Sequence, residues 1–134
     1  EQARFLLDEG VSPEKIAIGH IQRNWDPWVH EQITKLGCYV ELDGTNRIKY
    51  VPDNARVDLI RALKDRGYGG QILLGTDSGK ASYQKVYGSV SGIDYDPAVF
   101  CPRLVEDEGF DEGYVEDLLV NNAARFFAFD PIRG

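Results

Sequence analysis

Hydrophobic and polar positions along the chain fall into two alternating kinds of run. Three short apolar stretches, "KIAIGH" (15–20), "CYVELDG" (38–44) and "QILLGTD" (71–77), carry little alternation. Such runs are expected of parallel strands buried on both faces. Between them the spacing is helical. "DPWVHEQITKLG" (26–37) has Asp26 as an N-cap, Pro27 in the first turn and Gly37 as its stop. "PDNARVDLIRALKDRG" (52–67) sets Val57, Ile60 and Leu63 on one face and ends at Gly67. The leading "EQARFLLDEG" reads as the end of a helix with Gly10 as a left-handed cap. A long loop is predicted from about Ser78 to Tyr95. "PAVFCPRLVEDEG" and "DEGYVEDLLVNNAARFFAF" then read as closing helices.

The order is therefore α-β-α-β-α-β-α. Strands that alternate with helices form a parallel sheet, because parallel neighbours need a crossover between them. Three strands are few for such a sheet and leave edges that proteins avoid. The chain of 134 residues contains no Met, and Glu1 stands inside a helix. Both points lead us to expect a piece of a longer protein. Two parents suit the pattern, a (β/α)8 barrel and an open doubly wound sheet. The lack of a Gly-rich turn between a strand and a helix weakens the nucleotide-binding form of the second.

Composition narrows the partners. A net charge of -7 argues against nucleic acid. No apolar run approaches the roughly 20 residues of a membrane helix, so no membrane partner is expected. Cys38 and Cys101 form no CxxC-type pair and read as small buried thiols of a cytoplasmic protein.

Polar residues end all three strand runs: His20, Asp43 and Asp77. In either parent architecture, function gathers at the carboxyl ends of strands. Each residue also has an ordinary reading. His20 can be a hydrogen-bonded structural residue, Asp43-Gly44 is a common turn pair, and Asp77 can cap a turn. The loops after these strands hold five basic residues, Arg23, Arg47, Lys49, Lys80 and Lys85, against three acidic ones, Asp26, Asp43 and Asp77. A cationic rim on an acidic chain points to a small anionic substrate, unless these side chains simply face solvent.

"KIAIGHIQRNWDP", "GCYVELDG", "YVPDNARVDLIRALKDRGYGGQILLGTDSGK" and "NNAARFFAF" together resemble the C-terminal half of the phosphotriesterase-like family of the amidohydrolase superfamily, over essentially the whole chain. One departure is that Asn122-Ala123-Ala124-Arg125 lacks the proline usual in the family's closing Asn-Pro-x-Arg. The resemblance implies an α/β fold in which this chain is the C-terminal portion, strands six to eight, of a (β/α)8 TIM barrel. Residues 1–134 would be one part of a single metal-dependent hydrolase domain whose N-terminal half is absent. It implies two divalent metal ions, zinc foremost with manganese or cobalt as alternatives. His20 and Asp77 would be metal ligands, and Asp77 also the catalytic proton shuttle for a metal-bound hydroxide. The other ligands of the family lie outside this chain, which alone would be inactive.

Within the family, the resemblance is to the branch acting on phosphorylated sugar lactones. There Lys49, Lys80 and Tyr83 would grip the phosphate, with Tyr50 beside Lys49 and with Arg23 and Arg47 as further substrate contacts. Lysine offers a point charge where arginine would offer a fork. The competing readings are a phosphotriesterase or neutral acyl-homoserine lactone hydrolase, whose pockets would be apolar, and a non-catalytic barrel used for binding or assembly. Trp28 is expected to pack its helix, Trp25 to wall the pocket or pack, and His30 to face solvent. The loop bearing Tyr83, Tyr87 and Tyr95 reads as a lid or as a homodimer contact.

Overall fold

A computed structural model describes residues 1–129. Helix α1 (Gln2–Asp8) leads into strand β1 (Ala17–Ile18). Helix α2 (Pro27–Thr34), strand β2 (Tyr39–Asp43), helix α3 (Asp53–Asp65) and strand β3 (Ile72–Gly75) follow. The sheet order is β1-β2-β3 and both pairings are parallel. Ala17 lies opposite Tyr39, and β2 and β3 run in register from Val40–Ile72 to Asp43–Gly75.

The expected stops hold. Asp26 accepts the Trp28 backbone N–H at 2.9 Å. Gly37 has φ +87°, and a Cβ there would stand 3.0 Å from Pro13 Cβ, so both backbone and space call for glycine.

Alternation along β2 divides its side chains between two faces. Val40 and Leu42 are fully buried and pack with Val57, Ile60 and Leu63 of α3, and with Ile72, Phe100, Leu104 and Leu118. Each such apolar side chain contributes roughly 1.5–3 kcal/mol when removed from water. Glu41 and Asp43 lie on the other face. Ala17 and Ile18 are only half-buried, short of the two-sided burial expected, because β1 is an edge strand among the described residues.

Residues 78–95 form the predicted long loop, interrupted by single turns at Ala81–Tyr83 and Lys85–Tyr87. A π turn (Asp96–Phe100) then runs into helix α4 (Cys101–Glu106). The Cys101 N–H reaches five residues back to the Asp96 carbonyl, and Pro102, which has no N–H to continue the usual ladder, comes next. Helix α5 (Glu112–Glu116), a second π turn (Asp117–Asn121) and helix α6 (Asn122–Phe127) close the chain. Cys38 and Cys101 are both free and buried. No helix of the described residues is long and apolar enough to cross a membrane.

Two expectations fail. Trp28 is 60% exposed rather than packed; it borders a groove of about 580 Å³ beside β1 with Ile18, Ile21, Val29 and Ile33. His30 is fully buried rather than at the surface. It shares a helix face with Ile33 and Thr34, and its Nε2–H donates to the Asn24 carbonyl at 2.8 Å.

Burial pushes the His30 pKa down, against the opposing pull of the Asn24 bond and the Asp26 charge. The unfolded chain therefore takes up a proton that the folded state resists. The stability tied to His30 is intact above about pH 6.5 and is lost as pH falls below it. His30→Gln, which keeps an N–H donor, is expected to flatten the acid-side fall of the urea midpoint between pH 7.5 and 5. An unchanged slope would contradict this.

Candidate functional site

The three strand-end residues converge. Ligand atoms of His20, Asp43 and Asp77 lie within 4.8 Å of one another. Two of the three take left-handed backbone, His20 at φ +56° and Asp77 at φ +48°. Residues other than glycine rarely adopt this region, and it costs of order 1–3 kcal/mol. The surrounding bonds hold it in place.

Asp43 organises the first half of the site. One carboxylate oxygen accepts the His20 backbone N–H at 2.8 Å, and the other lies 2.7 Å from His20 Nδ1. An ionised carboxylate only accepts, so Nδ1 is the donor in this contact, and in the neutral ring the lone pair is left on Nε2. Gln22 adds donations to the Asp43 carbonyl at 2.7 Å and to its carboxylate at 2.9 Å. The side chain of Asp43 is 5% exposed and that of His20 is 52% exposed. A buried carboxylate thus holds a half-exposed imidazole in a single orientation.

Asp77 forms the second half, two residues beyond β3. The Arg47 guanidinium pairs with its carboxylate, binds its carbonyl, and donates to the Thr76 carbonyl at 3.2 Å. Between the halves sits Glu41. A Cβ on Gly19 or Gly75 would come within 3.0 or 3.2 Å of its carboxylate oxygens, so the two glycines leave the room it occupies. Gly75 thus serves the close approach of a side chain. Burial, then the charge of Asp43 and that of Asp77, push the Glu41 carboxyl above its ordinary range against the pull of His20.

Beside Asp77 opens a cleft of about 250 Å³ lined by Arg23, Arg47, Tyr50, Gly79, Lys80 and Tyr83. Each tyrosine ring has two cations close to it. Arg23 lies 4.9 Å and Lys49 5.5 Å from the Tyr50 ring centroid. Arg47 lies 4.1 Å and Lys80 5.7 Å from that of Tyr83. Lys49 itself is exposed and does not line the cleft. Lys85, part of the cationic rim, pairs instead with Asp94 at 2.6 Å. Trp25 is 56% exposed and lines none of the clefts described here.

Sequence reasoning passed over Gln22, Glu41 and Arg56. A carboxylate interrupting the apolar run of β2 was the available signal for Glu41. Nothing marked Gln22, or Arg56 within a helix rich in charge.

Fold and site together define a β/α protein whose polar chemistry gathers at the carboxyl ends of parallel strands. The chain belongs to the phosphotriesterase family, whose sequence profile matches residues 1–127. It is 35% identical to the phospho-furanose lactonase of Mycoplasmopsis synoviae, over 99% of this chain and 39% of that protein. A lactonase of Listeria monocytogenes superposes with a TM-score of 0.89 at 36% identity, covering 97% of this chain and 41% of that one. The phosphotriesterase homology protein of Escherichia coli, solved with phosphate in its active site, gives a TM-score of 0.89 at 30% identity, covering 95% of this chain and 43% of that one. The chain thus spans about two-fifths of the length of these relatives.

Divalent cations suit this family, and the residues present fit them. Among the described residues, His20, Asp43 and Asp77 bring ligand atoms close enough together that they could hold a cation. The Asp43 contact to Nδ1 is the tether by which metalloproteins fix a histidine ring. An imidazole and carboxylate set suits zinc and its divalent neighbours.

In Asp43→Asn a single acceptor oxygen must serve both the His20 backbone N–H and Nδ1–H. Nitrogen-15 shifts of the ring are expected to move away from the pure Nδ1–H tautomer. A spectrum identical to that of the unaltered chain would rule out Asp43 as the tether.

Proposed function

We propose that this chain supplies strands six to eight of a (β/α)8 barrel hydrolase that opens a lactone ester, with a phosphorylated sugar lactone as substrate. The observation that carries the reading is the small cleft in which Arg23, Arg47, Lys80, Tyr50 and Tyr83 gather directly beside Asp77. Cationic and phenolic donors suit an anionic group. Their proximity to Asp77 sets that group next to the reacting ester. The names of the relatives, a phospho-furanose lactonase and other lactonases, support the same class.

In this reading two divalent cations, when bound, supply Lewis acidity to the ester carbonyl and to the attacking water. His20, its ring fixed by Asp43, and Asp77 would serve as ligands to them. The remaining ligands come from outside this chain. Asp77 takes the proton as the water oxygen bonds to the acyl carbon, and returns it to the ring oxygen as the acyl C–O bond breaks. The product is the open hydroxy acid. Lys80 and Tyr83, with Arg23, Arg47 and Tyr50, hold the phosphate. Lys49, 5.5 Å from the Tyr50 ring centroid, adds to the positive field.

The test uses the complete barrel on paired phosphorylated and neutral γ-lactones. Lys80→Ala is expected to lower kcat/KM for the phosphorylated substrate by about 10–100-fold, the scale of one charge-assisted hydrogen bond. The neutral substrate is expected to change little. Equal losses on both would overturn the phosphate seat, and faster turnover of a phosphotriester than of any lactone would overturn the substrate class. Asp77→Asn is expected to lower kcat by about 10²–10⁴-fold on every substrate, as removal of an acid–base group does.

A further inference from the structure

The loop 44–52 carries Arg47, Lys49 and Tyr50. Thr45 anchors its start to Asp96 at 2.6 Å, and Arg47 ties its middle to the Thr76 carbonyl and to Asp77. A further group, buried behind the loop, reaches both of its ends. Arg56, on the first turn of α3, is 1% exposed. A guanidinium has five N–H donors, and the structure gives all five an acceptor. Nε donates to the Asp43 carbonyl at 3.1 Å. Nη2 donates to the Asp43 carbonyl at 2.9 Å and to the Gly44 carbonyl at 2.6 Å. Nη1 donates to the Val51 carbonyl at 2.9 Å and to the Asp53 carboxylate at 2.7 Å. One side chain therefore grips both the entrance and the exit of the loop.

Asp53 extends the grip. The oxygen that meets Arg56 also accepts the Asn46 backbone N–H at 2.9 Å, and the other accepts the Tyr95 hydroxyl at 3.1 Å. The loop closes on itself through Tyr50 and Val51 N–H bonds to the Arg47 carbonyl, at 2.9 and 3.2 Å. Arg56 does not line the cleft.

We propose that Arg56 is the positioning residue of the anion cleft: it ties both ends of loop 44–52 and so sets where Arg47, Lys49 and Tyr50 stand, without touching the ligand. The proposal rests on the anion reading of the cleft given above. Lysine in its place keeps the charge but offers a single nitrogen, which cannot span four separate acceptor groups.

The experiment compares the full chain with Arg56→Lys by amide hydrogen exchange, melting temperature and titration with inorganic phosphate. The expected result is at least about a ten-fold loss of protection at Asn46, Tyr50 and Val51, with Leu73 and Leu74 of β3 unchanged, and a similar rise in the phosphate Kd, again the scale of one charge-assisted hydrogen bond. Retained protection in the loop overturns the proposal. Lost protection, or a lower melting temperature, with a phosphate Kd within two-fold of the unaltered chain also overturns it, since Arg56 would then be structural only. If the unaltered chain binds no phosphate, the anion reading fails, and exchange in the loop alone decides whether Arg56 sets its position. Should Arg56→Lys not fold, Asp53→Ala removes one acceptor of the same grip and is read at Tyr50 and Val51 alone, because Asn46 then loses its own acceptor.

Discussion

Parallel pairing of β2 with β3, in register up to Asp43–Gly75, is the constraint on which the rest of the molecule depends. Parallel strands end on one side of their sheet, so residues far apart in sequence reach a common rim. His20, Asp43 and Asp77 meet for this reason. The same register decides the opposite face. With Val40 and Leu42 committed to the helices, Glu41 and Asp43 must face the other way. A slip of one residue would bury the carboxylates among the aliphatic side chains of α3. The hydrophobic layer and the polar site are two results of one alignment.

Within the site, fixed groups lie buried and usable groups lie exposed. Asp43 is buried and spends its oxygens on His20 and Gln22. Arg56 is buried and spends every donor on loop carbonyls and Asp53. His20, Lys80 and Asp77 stand at the surface of this frame with atoms free to meet a ligand. Arg47 is intermediate, engaged with Asp77 on one side and with the Tyr83 ring on the other. Desolvated polar groups of this kind are costly unless every bond is made, and Asp43 and Arg56 make theirs with near completeness.

The element order and the strand-end residues were legible in the sequence, because each rests on local signals: Asp26 and Pro27 to start a helix, Gly37 and Gly67 to stop one, short apolar runs for buried strands. The cationic rim was legible as composition. Its partition was not, since only folding separates Lys80, which lines the cleft, from Lys85, which pairs with Asp94. Errors fell where a residue's face depends on its neighbours in space. His30 faces inward, where its Nε2–H meets the Asn24 carbonyl. Trp28 faces outward, onto the groove beside β1. Arg56 was invisible because a buried arginine and a solvated one look alike in a charged helix.

The π turn at Asp117–Asn121 fixes a phase. Each helical residue advances the face by about 100°, so one extra residue in a turn rotates everything after it by that amount. Directly downstream, Asn122 is fully buried and its amide bridges the Gly69 and Ile72 carbonyls at 3.0 and 2.8 Å, the entry to β3. Regularising the helix by a single deletion would improve its own hydrogen bonding while swinging that amide away from the sheet. The widened turn acts as a length adjuster that lets a mismatched helix and strand share one bracket.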